Sequence, residues 1–478
     1  MKLRYNLIFW CIIIAIVTSC NKVLDIKPPV SSITTAETFT DSTDANSAIL
    51  GIYSQIEDGS EGSINFASGA IHIYSGESAD ELVPYYTPGD QFYSNELIAT
   101  NNNIFNVIWQ PAYSYIYQAN ACIEGLEASK TLSAGTKNQL LGEAKFIRAF
   151  CYFYLVNLFG EVPYITSAAN FAQNNLASKL PSNTIYQAMI TDLQFAQANL
   201  RSDFSISGGE RTRANKWAAT ALLARIYLFE KEWANAEAQA SQVINNSTEF
   251  SLDANLNNVF LANSSESILQ WEVNAQYVSS ANLYATNVGY YILPRNSRSA
   301  PNEYLSPEQL SSFEPGDQRF TAWVDSSTHS GVKYYYPYKY KIGSSDANSP
   351  TTPAEYDMVL RLAEQYLIRA EARAELSESG AVSDINVIRS RAGLANYSGG
   401  TDMGSLLTEI AHQWQDEYFC EWGFRWLNLK RTGQIDVVMG VVTPKKAGGA
   451  SWQSYQELYP IPQSDMLSDP NLKQNPGY

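Results

Sequence analysis

Cysteine and histidine are scarce in this chain. Five cysteines, Cys11, Cys20, Cys122, Cys151 and Cys420, occur in 478 residues, and no two form a C-x-x-C pair. That excludes a disulfide framework and a zinc cluster, and it reads Cys122, Cys151 and Cys420, each among helix-like apolar residues, as small buried hydrophobes. The three histidines, His72, His329 and His412, include no H-E-x-x-H pair, and no G-x-S-x-G elbow is present, so metalloprotease and serine-hydrolase signatures are missing. Positive charge is also short: 32 Lys and Arg stand against 48 Asp and Glu, for a formal net charge of −16. Such a chain is not built for nucleic acid or for an anionic membrane surface. Beyond residue 20 no apolar run approaches the ~20 residues of a spanning helix. Asp253, Asn255 and Asn257 open like a calcium loop, but the Gly that should follow is absent and the twelfth position is Ser264, so calcium is not read there. No metal and no cofactor is expected.

What the chain does have is apolar and aromatic bulk. Hydrophobic residues make up 45% and charged residues 17%, the balance of a globular protein with a large core. Aromatics reach 13%, with 31 Tyr against 19 Phe. Tyrosine keeps a polar tip that wants water or a partner, which places many of these rings at surfaces. At the start, Lys2 and Arg4 precede an unbroken apolar run over residues 7–17 and then Val17-Thr18-Ser19-Cys20. A basic start, a short apolar run and small residues before a cleavage point read as a secretory signal over residues 1–19. Val-Thr-Ser-Cys resembles a bacterial lipobox, which implies a mature chain starting at a lipid-bearing Cys20 and anchored by acyl chains.

Residues 21–36 read as an extended tether stiffened by Pro28 and Pro29. Helical periodicity then dominates, over residues 41–56, 103–128 (interrupted near Pro111), 140–159, 184–200 and 406–429. The stretch from Leu223 to Ala240 fits a tetratricopeptide unit: Ala224, Tyr227 and Ala236 take its small, Tyr and Ala positions around a turn at 231–233. A weaker copy begins at Tyr366 and returns over residues 382–391. Between the copies, residues 246–356 are rich in Asn, Ser, Tyr, Pro and Gly and read as a long irregular insertion, with one strand at 332–342. No clean linker divides the chain. The expectation is a mainly α protein of one unit over 20–478.

Several blocks together resemble the SusD/RagB-type outer-membrane lipoproteins of Bacteroidetes. They are the lipobox; Ala48-Ile49-Leu50-Gly51-Ile52-Tyr53; Tyr117-Gln118-Ala119-Asn120; and Ala144-Lys145-Phe146-Ile147-Arg148-Ala149 running on to Phe159-Gly160-Glu161-Val162-Pro163. Others are Leu360-Arg361-Leu362-Ala363-Glu364 with Ala370-Glu371-Ala372; Glu417, Glu421, Gly423, Arg425, Trp426 and Asp436; Tyr459-Pro460-Ile461-Pro462; and the final Asn475-Pro476-Gly477-Tyr478. The resemblance implies a SusD-like fold with an N-terminal part over about 21–230 and a C-terminal part over about 231–478. It implies a protein of the outer membrane that captures nutrient oligosaccharides, hands them to a SusC-like TonB-dependent transporter, and is not an enzyme. Two other readings stay open: a lid for peptide uptake on the same type of transporter, and a lipid-anchored glycoside hydrolase.

Sugars are recognised by flat rings for their C–H faces and by polar groups for their hydroxyls. Two stretches outside the expected helices have that mixture. One is 74–93, with Glu77, Asp80, Tyr85, Tyr86 and Asp90. The other is 271–323, with Asn274, Tyr277, Asn282, Tyr284, Tyr291, Arg295 and Trp323. The leading ligand-binding candidates are Tyr85, Tyr86, Tyr284, Tyr291 and Trp323. A carboxylate pair such as Glu77 and Asp80 would be the place to seek glycosidase chemistry. The run Tyr334-Tyr335-Tyr336-Pro337-Tyr338 reads as a strand packed on helices. Arg361 with Glu364, and Arg369 and Arg373 with Glu371 or Glu375, read as local helix pairs.

Overall fold

The computed structural model describes residues 35–57, 64–273, 284–343 and 353–478. The signal, Cys20, most of the tether, Asn274, Tyr277 and Asn282 lie outside the described residues. Helices predominate among the described residues, and none is long and apolar enough to cross a membrane. The main ones are α1 (Ser42–Ile56), α2 (Gln110–Ala128), α3 (Ala134–Phe159), α4 (Ser182–Asn199), α5 (Lys216–Phe229), α6 (Trp233–Ile244), α7 (Leu362–Glu375), α8 (Ala381–Arg391), α9 (Met403–Tyr418), α10 (Phe424–Arg431) and α11 (Gln463–Ser468). Strands are short and paired in twos: β1 (Leu82–Pro84) with β3 (Glu303–Leu305), β2 (Ser267–Trp271) with β6 (Asp357–Arg361), and β4 (Val324–His329) with β5 (Val332–Pro337), all antiparallel.

Local chemistry sets the helix limits. Asp41 caps α1 by accepting from the amides of Thr43 and Asp44, and Asn215 caps α5 through those of Trp217 and Ala218. Ser133 caps α3 through the amide of Thr136, so this helix begins a turn and a half before its apolar stretch. It ends at Gly160, whose φ of 75° suits glycine. The break expected near Pro111 is a wide π turn, Ile104–Trp109, running straight into α2. A proline has no amide proton and crowds the carbonyl four residues earlier; the wider turn makes room for it.

From Gln139 to Phe159 nearly every side chain of α3 is buried. A helix apolar on all sides belongs at the centre, and α2 and α4 flank it. The α5–α6 hairpin stacks on α7–α8, with Ala224, Ala236 and Ala240 fully buried where the helices approach. These are the two repeat-like pairs, the second starting four residues earlier than its motif.

The block expected as one helix over 406–429 is two, α9 and α10. The turn between them holds Cys420, Trp422 and Gly423 at φ of 54°, 49° and 66°. A Cβ on Gly423 would lie 2.6 Å from that of Ser75. The backbone cost at Trp422 is offset by burial of its indole, whose Nε1–H donates to the Met358 carbonyl at 2.6 Å. The insertion is less irregular than its composition, with three six-residue helices, Asn287–Ile292, Pro307–Ser312 and Gln318–Trp323, besides β2 to β5. The strand expected over 332–342 ends at Pro337, which pairs with Val324 and has no amide to carry the ladder on.

The expected local ion pairs are not formed. Arg361 ends β6 in an extended conformation (φ −138°, ψ 156°), off the helix face that Glu364 shares. Its guanidinium instead meets Glu266 (2.9 Å), Glu417 (2.6 Å) and Glu421 (2.9 Å), all buried. Arg391, Arg319 and Lys339 join the same network. Glu364 accepts from Nε and Nη2 of Arg225 on α5, tying the two hairpins together. Arg369 and Arg373 reach Asp384 and Glu237, and Glu371 takes Arg431.

Candidate carbohydrate-recognition site

Tyr85 follows β1, and its amide donates to the Asn302 carbonyl at 2.8 Å, extending the pairing with β3. That register sets Tyr304 opposite Val83. The β4–β5 hairpin packs beside this ladder and brings in Tyr334 and His329. The result is a continuous aromatic edge. Tyr86 meets Tyr85 at 4.9 Å between ring centroids, Tyr85 meets Tyr334 at 5.1 Å and Tyr334 meets Tyr304 at 5.1 Å, all edge to face. His329 stands 5.8 Å from Tyr85. Tyr86 is 64% exposed at the outer end, and the other three tyrosines are half-buried. Each ring fixes the tilt of the next, so the edge presents preset apolar faces.

A cleft of about 310 Å³ opens next to Tyr304, lined by Leu82, Val83, Tyr93, Glu308 and Lys445. Its floor is held rigidly. The buried Lys446 ammonium donates to the carbonyls of Glu77 (2.7 Å) and Ala79 (2.6 Å), and Asp80 takes both bonds of Arg425 at 2.7 and 2.8 Å. Behind the ladder, the side chains of Glu77 and Glu303 are both buried. Burial holds both carboxyl groups well above the usual carboxylate range; the charge of Glu303 adds to the shift at Glu77, and that of Asp90 to the shift at Glu303. Glu77 and Asp80, three residues apart in sequence, thus have different surroundings: the Glu77 carboxyl is buried, and Asp80 pairs with Arg425.

The five aromatic candidates separate. Tyr85 and Tyr86 form the edge. Tyr291 is half-buried among Glu303, Glu77 and Tyr74, and burial pushes its phenol up; its carbonyl accepts from Asn302 Nδ2 at 2.6 Å. It supports the ladder rather than the edge. Tyr284 is half-buried just after the segment outside the described residues. Trp323 is a correction. It is fully buried, its Nε1–H donates to the Leu256 carbonyl at 2.9 Å, and Lys339 Nζ lies 4.9 Å from its ring. With no face open to solvent it has nothing to offer a sugar. Tyr334, read as strand packing, belongs to the edge, as do Tyr304 and His329. The run of three tyrosines was the available signal, because alternation along a strand turns Tyr334 and Tyr335 to opposite faces.

Glu314, Glu409 and His412 lie close enough together to invite a metal ion. Arg389 already supplies the positive charge, bonding Glu314 and, at 2.7 Å, Glu409.

Fold and edge define a helical-repeat scaffold that displays aromatic rings on short strands, the form of a binding protein. Residues 29–228 match a family described as starch-binding and associating with the outer membrane, and residues 283–478 match the SusD family. The chain belongs to the SusD family. It is 28% identical to a SusD-like protein of Formosa agariphila over 80% of this chain and 83% of that one. It is 24% identical to the starch-binding protein SusD of Bacteroides thetaiotaomicron, over 74% of each. Among solved structures, a laminarin-binding SusD-like protein superposes with a TM-score of 0.76 at 22% identity, covering 91% of this chain and 99% of that one.

Proposed function

We propose that this protein is a surface lipoprotein that captures oligosaccharides on the Tyr86–Tyr85–Tyr334–Tyr304 edge and delivers them to a SusC-like TonB-dependent transporter, without cleaving them. The observation that carries this reading is the edge itself: rings preset by their neighbours, one of them 64% exposed, beside a cleft with a carboxylate and an ammonium on its rim. Such faces suit the C–H surfaces of sugar rings, and the rim groups suit hydroxyls. Membership of a family named for starch binding at the outer membrane supports the cargo and the location. The lipobox-like Val17-Thr18-Ser19-Cys20 supports attachment through Cys20. Calorimetric titration of residues 21–478 against plant, host and microbial glycans tests the reading. Saturable binding with no product formed is expected, and turnover of a polysaccharide by the pure protein would defeat it. Recovery of the protein with an outer-membrane barrel in gentle detergent tests the partner.

A further inference from the structure

A second aromatic cavity lies elsewhere in the fold. Phe105, Trp109, Tyr113 and Tyr117 recur every four residues, from the π turn into α2, and so share one helix face. Opposite them stand the segment after Pro163, with Asn175, and the C-terminal α11 region, with Asp465 and Asp469; together they enclose about 630 Å³. That is the size of a small-molecule site and about twice the cleft beside Tyr304. No residue is common to the two.

The inner rings are locked. Trp109 is buried, its Nε1–H donates to Asp465 Oδ2 at 2.5 Å, and its ring meets Tyr113 at 4.9 Å. The Tyr113 hydroxyl donates to the Pro163 carbonyl at 2.8 Å. Tyr117 is not locked in this way: it is 48% exposed at the outer end, although Ala119 and Asn120, two and three residues on, are fully buried scaffold. Gln110 and Asn175, both exposed, add amide donors and acceptors. The described residues lining the cavity include two aspartates and no Lys, Arg or His.

From this lining we infer a second carbohydrate site, between α2 and α11, that takes a neutral oligosaccharide: aromatic faces receive sugar C–H surfaces, amides and carboxylates receive hydroxyls, and the two aspartates repel uronic or sulfated sugars.

The test is fluorine NMR of residues 21–478 carrying 3-fluorotyrosine, with the Tyr117 and Tyr86 resonances assigned by Tyr117→Phe and Tyr86→Phe. The probes are maltohexaose, laminarihexaose, xylohexaose, mannohexaose and a galacturonic acid oligomer at millimolar concentration. At least one neutral hexaose should shift the Tyr117 resonance saturably, and should still do so after Tyr85→Ala with Tyr86→Ala. Asn175→Ala, an exposed substitution, should weaken that response about two- to tenfold, the loss of one hydrogen bond. A Tyr117 resonance unmoved by all four neutral sugars overturns the inference, as does a response that vanishes with the Tyr85 and Tyr86 substitutions. Tighter binding of the galacturonic acid oligomer overturns the neutral specificity. Each site has its own reporter, so silence at Tyr117 with a response at Tyr86 leaves the proposed function standing.

Discussion

The ring of Tyr334 meets the ring of Tyr85 edge-on, with centroids 5.1 Å apart and planes at 85°. One ring comes from the end of a β-ladder and the other from a separate hairpin, so the contact docks two strand pairs and aims both rings. Loss of either ring would disturb the other.

Tyr86, at the exposed end, can be removed with less damage. Tyr86→Ala should leave thermal stability almost unchanged, because most of the ring is already in water. Affinity for the glycan found by titration should fall by about 1 kcal/mol, or roughly fivefold. Calorimetry with a parallel thermal melt checks both. Unchanged affinity would remove Tyr86 from the site.

Trp323→Ala should do the opposite. The indole is fully buried and edge-on to Phe260. Removing it leaves a cavity and takes the indole donor away from the Leu256 carbonyl, at a cost of about 3–5 kcal/mol. Urea unfolding measures the loss. Glycan affinity of the molecules still folded should match that of the unsubstituted protein.

These two residues show what composition can and cannot reveal. Tyr85, Tyr86 and Trp323 all stand in stretches that mix aromatics with polar groups, and nothing local says which ring faces water. Exposure depends on long-range docking: Leu256 and Lys339 enclose Trp323 from distant segments. The helix pairs were legible because Ala224, Ala236 and Ala240 mark close approach within a short span. The Arg225–Glu364 pair was not, because its partners sit on different hairpins, far apart in sequence. For the same reason Tyr334 read as packing: only the docked hairpin shows that it faces Tyr85.

The buried ion network should be fragile to a single deletion. Arg361 holds Glu266, Glu417 and Glu421, and these charges tolerate burial only while paired. Three neighbouring cations share the network: against the cost of burial, Arg391 and Arg319 together with Arg361 hold the Glu417 carboxyl well below the usual range, and Lys339 pairs with Glu421. Arg361→Met should destabilise the fold by about 3–5 kcal/mol, because it leaves buried carboxylates under-compensated. Denaturant unfolding reports the size of the effect. A loss under 1 kcal/mol would mean that the other three cations suffice.

The anchor can be tested without touching the fold. If acyl chains on Cys20 are the attachment, Cys20→Ala should move the protein to the soluble fraction with its helical circular dichroism intact. Cell fractionation is done in a strain without SusC-like transporters, so that docking to one could not hold the variant. Retention in the membrane there would refute lipid attachment through this residue.

His412 gives the stability a pH dependence of definite sign. Its Nε2 lies 2.8 Å from the Ser312 carbonyl and 3.1 Å from Asp416 Oδ2, and Nδ1 lies 4.0 Å from Glu314 Oε1. All three are acceptors, so the site favours the imidazolium. The Asp416 carboxylate beside Nε2 leads in pushing the pKa up to about 9, with the Ser312 carbonyl and the Glu409 charge adding to it against burial. The folded state then binds more protons than the unfolded state between the ordinary histidine value of about 6.5 and about 9. Stability from this group is therefore complete below about pH 6.5 and is lost as pH rises through about 9. His412→Gln keeps a donor for the Ser312 carbonyl and removes the titration. The stability difference between the unsubstituted protein and this variant, measured by urea unfolding from pH 6 to pH 10, should shrink steadily across that window. A difference that stays constant with pH would show that His412 is not held as the cation.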